Sequence, residues 1–574
     1  MKRGIEQLFR MRNRFIVIGV TGKTGSGCTT VASILSKDRH ELGSVDASFG
    51  NDKSSIESRK WSIVSRFCKK NWKKFHHIRV KDIISTFILE SKFDEAHQYI
   101  KTTFDIDISE FKTTYECFFE KNKILNEFLK TDNALLYDAE DPAEIERIKN
   151  TRVAIKNYIL SEIQQFSDNI KLFLDSRGDK YISVFQKVGD NIRRTGCAFA
   201  DSAQEFEHIF SIARRINTLI KIIRRVDKST GELKSLYVID AFRNPLEVHF
   251  FRERFSAFYL MAVNCDEDER RRRLSAADLK ESQIVKIDKK ESSNEDFYED
   301  YEEYTGQNIK SCINMADLYV NNLRSLNSHY TQLTKTILRY VALIQHPGIV
   351  KPTKHEFLMQ LAITAATNSG CMSRNVGAVI TDSSFEPLAI GWNCVPKLQI
   401  PCYARSASSL IDGLDPDAYS DFEKTDLKFS DHMKIVREKL NTIHDYGLSD
   451  VYCFKSEYNK TTCKENQVHT RALHAEENTI LQCAKHGQHQ IENGFLFTSA
   501  SPCVLCAKKI CQMGITEVFY MDPYPDISEK HVFSYGENKV KMTLFTGAIG
   551  LAFQKLYIPL IPLKDEVAAI LHEV

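Results

Sequence analysis

Two periodicities alternate along this chain and divide it into elements. Short runs of consecutive apolar residues read as strands buried on both faces. They are Phe15-Ile-Val-Ile-Gly-Val20, Ser235-Leu-Tyr-Val-Ile-Asp240, Phe258-Tyr-Leu-Met-Ala-Val263 and the shorter Ala316-Asp-Leu-Tyr-Val-Asn-Asn322. Between them apolar residues recur at three- and four-residue spacing, as in AEIERIKNTRVAIKNYILSEIQQFSDNIKLF at 143–173, which predicts helix. Strands alternating with helices predict a doubly wound α/β domain. The acidic run 288–303 (DKKESSNEDFYEDYEE) interrupts the pattern as a solvated excursion, and a helix over about 325–345 follows. HPGIVKPTKHE at 346–356 holds two prolines and a glycine and predicts the domain boundary.

A different order begins there. The pattern predicts a helix over 357–367, strands over 376–381 and 388–391, and an irregular insertion over about 394–470. A helix from His474, a strand over 495–498, a helix from Pro502 and a strand over 517–520 complete it. We therefore expect two α/β domains, residues 1–325 and 351–574, joined by a helical linker over 326–350.

Composition narrows the class without naming a function. Of 574 residues, 43% are hydrophobic and 27% charged, a globular balance that argues against a disordered, collagen-like or disulfide-scaffold chain. Lys+Arg 78 against Asp+Glu 76 leaves a net charge of +2, weak support for coating a polyanion. The basic stretches Lys69–Arg79 and Arg270–Arg273 read as solvated faces more readily than as RNA or phosphate contacts. No apolar run approaches the roughly 18 residues of a membrane helix. Phe15–Val20 is too short for a signal segment and runs into TGKTGSG, so a cytoplasmic protein is expected. Its 15 cysteines should then be thiols or metal ligands.

One constellation carries specific chemistry. His474-Ala475-Glu476 is followed, 26 residues after the glutamate, by Pro502-Cys503-Val504-Leu505-Cys506. This is the H-x-E…P-C-x-x-C signature of zinc deaminases. One imidazole and two thiolates fill three positions of a tetrahedral Zn²⁺ and leave the fourth open to water, whose pKa falls toward about 7. Glu476 is free to face that position and move protons. Pro502 suits a first helical turn, which puts Cys503 and Cys506 on one face at i and i+3.

A second constellation is Gly22-Lys23-Thr24-Gly25-Ser26-Gly27-Cys28-Thr29, which follows a strand and opens a helix. Successive N–H groups in such a loop form a phosphate-binding nest at a helix N-terminus. Thr29 stands where a Mg²⁺-binding hydroxyl belongs, and Asp240 suits the acidic partner of Mg²⁺. The usual lysine before that threonine is Cys28, although Lys23 supplies charge from another direction. That defect predicts binding of a nucleoside triphosphate with Mg²⁺ rather than robust phosphoryl transfer.

These residues carry a resemblance. Cys371-Met-Ser-Arg-Asn-Val-Gly-Ala-Val-Ile380, Gly391-Trp-Asn-Cys-Val-Pro396, His474-Ala-Glu-Glu477 and Ser501-Pro-Cys-Val-Leu-Cys506 resemble the deoxycytidylate deaminase branch of the cytidine deaminase superfamily. Gly189-Asp-Asn-Ile-Arg-Arg-Thr-Gly196, Ile239-Asp-Ala-Phe-Arg-Asn-Pro245 and Phe251-Arg-Glu-Arg-Phe255 are similar to the kinase-like half of bacterial anti-phage dCTP deaminases. The resemblance implies a P-loop nucleotide-kinase-like domain, regulatory in role, fused to a three-layer α/β/α deaminase domain. It implies hydrolytic deamination of dCTP or dCMP, with His474, Cys503 and Cys506 on zinc and Glu476 as proton carrier. Asn393 would reach the sugar or base, Gly377 and Ala378 would lie in the strand beneath the base, and Tyr524 would stack on it. It also implies a second, structural zinc, for which Cys371, Cys402, Cys453 and Cys463 are the available thiols and His469 an alternative ligand. Depletion of the deoxycytidine nucleotide pool during phage infection, a homo-oligomer and an inhibitory small RNA belong to the same implication. Two other readings stay open: a deaminase of single-stranded DNA or RNA, and a nucleotide-binding signalling module with a structural zinc.

Overall fold

The computed structural model describes residues 2–42, 55–130, 142–178, 180–200, 206–277, 279–291, 304–322, 331–463, 469–485, 487, 491–521, 527–537 and 539–571. The chain forms two compact units, Met1–Lys351 with Leu551–Val574, and Pro352–Gly550.

The first unit is built on five strands: β1 (Phe15–Thr21), β2 (His76–Arg79), β3 (Ser235–Asp240), β4 (Phe258–Asn264) and β5 (Leu318–Asn321). They run parallel in the order β5-β4-β1-β3-β2. Ile18 lies opposite both Val238 and Tyr259, so β1 is central. This explains its unbroken apolar sequence: Ile16, Val17, Ile18 and Val20 are all fully buried. The strand order reverses around β1, and the crevice at the carboxyl ends of such strands is where ligands bind in open α/β sheets. The segment with helical spacing folds as helices Pro142–Asn157 and Ile163–Asp175, joined by a π-helical turn at Tyr158–Glu162.

The second unit has strands β6 (Gly377–Thr381), β7 (Pro387–Trp392), β8 (Phe495–Thr498), β9 (Glu517–Tyr520) and β10 (Lys541–Leu544), in the order β10-β9-β8-β6-β7. β6 is antiparallel to β7 and β8, whereas β8, β9 and β10 run parallel. Helix Lys354–Ala366 opens with a Thr353/Glu356 capping box and covers one face. Gly377 permits that approach, because a Cβ there would fall 1.9 Å from the Ala362 carbonyl oxygen. At Gly377 the close approach is thus that of a helix backbone.

Four features depart from the sequence expectation. The insertion after β7 is not irregular. It folds into helices Ala407–Ile411, Asp421–Thr425, Leu427–Leu440 and Phe454–Thr462 around its own core of Ala407, Leu410, Ala418, Tyr419, Phe429, Met433 and Tyr452. Helix Thr331–Gln345, read as a linker, has a largely buried surface within the first unit. The last residues leave the second unit for the first: Glu566 Oε1 lies 2.9 Å from His346 Nε2, and Arg12 Nη2 donates to the Lys555 carbonyl at 2.8 Å. The Arg270–Arg273 cluster is not a free charged face either. Arg270 is 1% exposed and bonded to Glu267 and Asp288, while Arg272 and Arg273 pair with Glu269. Of the other basic stretch, the end becomes β2, an interior strand residue of which, Ile78, is buried. Among the described residues, no helix is long and apolar enough to cross a membrane. Most of the acidic run 288–303 lies outside the described residues.

Candidate metal centre and active site

The two halves of the His/Cys motif are brought together by adjacent helix starts. His474 directly precedes helix Ala475–Lys485, and its carbonyl accepts the Asn478 N–H at 2.9 Å. Cys503 is the N-cap of helix Val504–Gln512, with φ −73° and ψ 168°. Pro502 therefore sits just before the cap rather than in the first turn. Cys506 still falls three residues on, in that first turn, as its ligand role requires. Nδ1 of His474 lies 3.4 Å from both Cys503 Sγ and Cys506 Sγ. The two helices are tied by an ion pair between Glu477 and Lys509.

The electrostatics suit a cation. Hydrogen bonding from Cys506, reinforced by His474, holds the Cys503 thiol down to about 3. Cys506 keeps its proton, its pKa raised by that bond to the Cys503 thiolate and by burial. His474 is raised by the same thiolate. Two thiols and an imidazole thus share charge that a divalent ion would neutralise, with release of the retained proton. Among the described residues, His474, Cys503 and Cys506 are the one group of three His, Cys, Asp or Glu whose ligand atoms lie within 4.8 Å of one another. One imidazole and two sulfurs fit zinc.

Glu476 is 4% exposed, and burial pushes its carboxyl above the ordinary value. It interacts with Cys506 and feels the charge of His474 and Cys503. Thr498 Oγ1, at the end of β8, approaches Glu476 Oε1 at 3.5 Å. The sequence reading missed Thr498; its only signal is a hydroxyl residue at a strand end shortly before Pro502. Ala378 and Ile380 of β6 pack in one core with Ala475, Ile480, Cys506 and Ala507, so Ala378 supports the helices that carry the ligands. Asn393 is 7% exposed and is engaged locally: its Oδ1 accepts the Val376 N–H at 2.8 Å and its Nδ2 donates to the Arg374 carbonyl at 2.7 Å. It orders the segment leading into β6. Tyr524 lies outside the described residues.

The four further cysteines do not converge into a metal site. Cys402 is buried, Cys463 is exposed at a helix end, Cys371 is half-buried, and Cys453 Sγ lies 3.6 Å from Ser373 Oγ. His469 packs edge-on against Tyr458. Metal analysis of the purified chain should therefore give one zinc per chain. Cys506→Ser should lower that to well under half, and two zincs per wild-type chain would contradict this geometry.

The glycine-rich loop lies at the carboxyl end of β1, in the crevice of the first sheet. Gly27 has φ 104° and caps helix Cys28–Ser36; a Cβ there would fall 1.9 Å from Asn322 Nδ2. Gly22 and Gly25 flank Lys23 and Thr24, and the Ser26 N–H closes a turn onto the Lys23 carbonyl at 2.9 Å. Burial pushes the Cys28 thiol up to about 12, so no charge enters the loop from that position. Lys23 is paired with Glu267 at 3.5 Å, Thr29 is exposed, and Asp240 Oδ2 lies 3.3 Å from His77 Nε2.

Comparison with known proteins bears on the second unit. Residues 352–522 match the cytidine and deoxycytidylate deaminase zinc-binding region. The deoxycytidylate deaminase of Schizosaccharomyces pombe is 26% identical over 212 residues, which is 37% of this chain and 48% of that protein. The deoxycytidylate deaminase of Enterobacteria phage T2 is 28% identical over 171 residues, 30% of this chain and 81% of that protein. The match thus spans about half of the yeast protein's length. The dCMP deaminase of cyanophage S-TIM5, solved in complex with dCMP and dUMP, is 20% identical, with a TM-score of 0.20, and covers 34% of this chain and 99% of its own. The stretch that matches this zinc-binding deaminase region holds His474, Glu476, Cys503 and Cys506.

Proposed function

We propose that the second unit hydrolyses the 4-amino group of a deoxycytidine nucleotide, dCMP or dCTP, giving the deoxyuridine nucleotide and ammonia. One observation carries the reading: a buried carboxylate, Glu476, stands against a convergent His474, Cys503 and Cys506. Those three residues would hold zinc, which when bound supplies the Lewis acidity that makes hydroxide available at neutral pH. Glu476 accepts the proton of the attacking water and delivers it to N3 as the C4–O bond forms. It then carries the proton of the new C4 hydroxyl to the exocyclic nitrogen, so that the C4–N bond breaks with loss of ammonia as the C4 carbonyl forms. Its burial excludes bulk water from that transfer. Thr498 fixes the carboxylate's orientation from the end of β8. Asn393 and Tyr524 would contribute to nucleotide recognition, the former through the remaining N–H of its amide.

For the first unit our reading is a P-loop domain that binds a nucleoside triphosphate with Mg²⁺ at Gly22–Thr29 and Asp240 and regulates the deaminase. The supporting observation is the glycine loop at the carboxyl end of a central parallel strand. Tight nucleotide binding with no effect on deamination would defeat the regulatory part. Action on the free nucleotide pool in antiviral defence, in a cytoplasmic homo-oligomer restrained by a small RNA, rests on family resemblance alone.

The test is a substrate panel of dCMP, dCTP and labelled single-stranded DNA with the purified chain, read by the mass change on replacing NH₂ by OH. Turnover of a free mononucleotide is expected. Turnover confined to the polymer would overturn the assignment in favour of a polynucleotide deaminase, which captures a base out of the strand.

A further inference from the structure

The glycine loop lacks its lysine, yet it is surrounded by cations, and their partners differ. Lys23 is paired with Glu267. Arg270 donates to the Thr24 carbonyl at 3.0 Å but is held by two carboxylates, Glu267 and Asp288. Arg273 is held by Glu269 and donates to the carbonyls of Ser26 and Asn322. The two arginines brace the loop's carbonyls at Thr24 and Ser26 from outside.

Arg243 is placed otherwise. It follows β3 by three residues, at the same sheet edge as the loop. Its backbone is fixed on both sides: the Asn308 N–H donates to its carbonyl at 2.8 Å, and Asn244 caps helix Pro245–Arg254. Nη1 donates to Thr24 Oγ1 at 3.0 Å and to Glu291 Oε1 at 2.9 Å. The side chain is 25% exposed, whereas Glu291 is fully buried. Glu291 also accepts the Thr24 backbone N–H at 3.0 Å on its other oxygen, and the Thr24 hydroxyl on the first. A carboxylate therefore already occupies an amide of the loop, with a guanidinium beside it. That is the pairing a phosphate group would make.

We infer that Arg243 replaces the missing loop lysine as the phosphate-binding cation, and that Glu291 is an internal stand-in anion that a polyphosphate must displace. The inference rests on the nucleotide-binding reading of the first unit and assigns it a cation and a competitor. A guanidinium forks two N–H groups onto phosphate oxygens, so it serves where a point charge is lost.

The experiment uses the full chain and Mg²⁺–tripolyphosphate, which needs no base pocket, with binding measured by calorimetry in excess Mg²⁺. Glu291→Gln removes the competing charge and should tighten binding by about 5-fold or more. Removing Arg243 alone leaves Glu291 buried without its partner, so the decisive comparison is the double variant R243A/E291Q against E291Q. It should bind about 10-fold or more weakly, and Cys28→Lys added to it should restore most of the loss. Equal binding by R243A/E291Q and E291Q, in a chain that does bind, overturns the inference and leaves the nucleotide-binding reading standing. If neither the wild type nor any variant, including Cys28→Lys, binds, the reading of the loop fails and the inference with it.

Discussion

Glu476→Gln should cut deamination of the preferred nucleotide by about 10²–10⁴-fold, the usual contribution of a positioned proton carrier. Zinc content should stay at the wild-type level, because the converging ligand atoms belong to His474, Cys503 and Cys506. Glutamine preserves the shape of the side chain and its contact with Thr498, so thermal stability should not fall. The combination matters more than the loss of rate. Loss of rate together with loss of metal would mean that the substitution had damaged the ligand cluster. Retained metal with kcat within about 10-fold of wild type would remove Glu476 from the chemistry and leave a structural metal site.

The largest effect on stability is expected at Glu423, in the helical insertion. Its carboxylate is 1% exposed and its partner Arg405 is 0% exposed. Glu423 Oε1 accepts the Arg405 guanidinium and, at 2.7 Å, the Tyr452 hydroxyl. Its Oε2 closes a capping box with Ser420, accepting the Ser420 N–H at 3.0 Å. The guanidinium also lies over the rings of Tyr419 and Tyr452. Glu423→Ala strips a buried cation of its carboxylate partner while unmaking the cap. Breaking one side of such a pair costs about 3–5 kcal/mol. Glu423→Gln keeps the cap and should cost less. Urea unfolding at neutral pH checks both, and a change below about 1 kcal/mol for the alanine variant would refute the account. Burial opposes ionisation of Glu423, but the charge of Arg405 and the Tyr452 and Ser420 bonds outweigh it and hold its pKa below the ordinary value. This stabilisation is present above the unfolded-state pKa, about 4.3, and is lost as pH falls through the lowered folded value.

What could be read from the sequence follows from what each segment buries. β1, β3 and β4 sit inside a parallel sheet, so their apolar runs were unmistakable. The zinc motif was legible because ligand spacing at a helix start is dictated by coordination. β2 (His76–Arg79) was hidden by its four residues, three of them polar, which pair with β3 without showing a period. The insertion looked irregular because its helices are short, although Ser420-x-x-Glu423 is a readable capping box. The cysteines in and beside the insertion, Cys371, Cys402, Cys453 and Cys463, illustrate the opposite case. Chemical sufficiency of four thiols suggested a metal, but among the described residues no three of their sulfurs lie within 4.8 Å of one another. Glu291 could not have been found at all. Its place on Thr24 depends on a contact spanning most of the first unit's length, with nothing local to announce it.

The return of Leu551–Val574 to the first unit makes the zinc-binding stretch a guest spliced into a host. Both of the guest's ends are therefore continuous with a single folded body, and the host is completed only after the guest has been synthesised. A chain stopped after Gly550 would leave the guest whole and deprive the host's Arg12 and His346 of Lys555 and Glu566. Removing Leu551–Val574 would thus wound the unit built mostly from residues before Pro352.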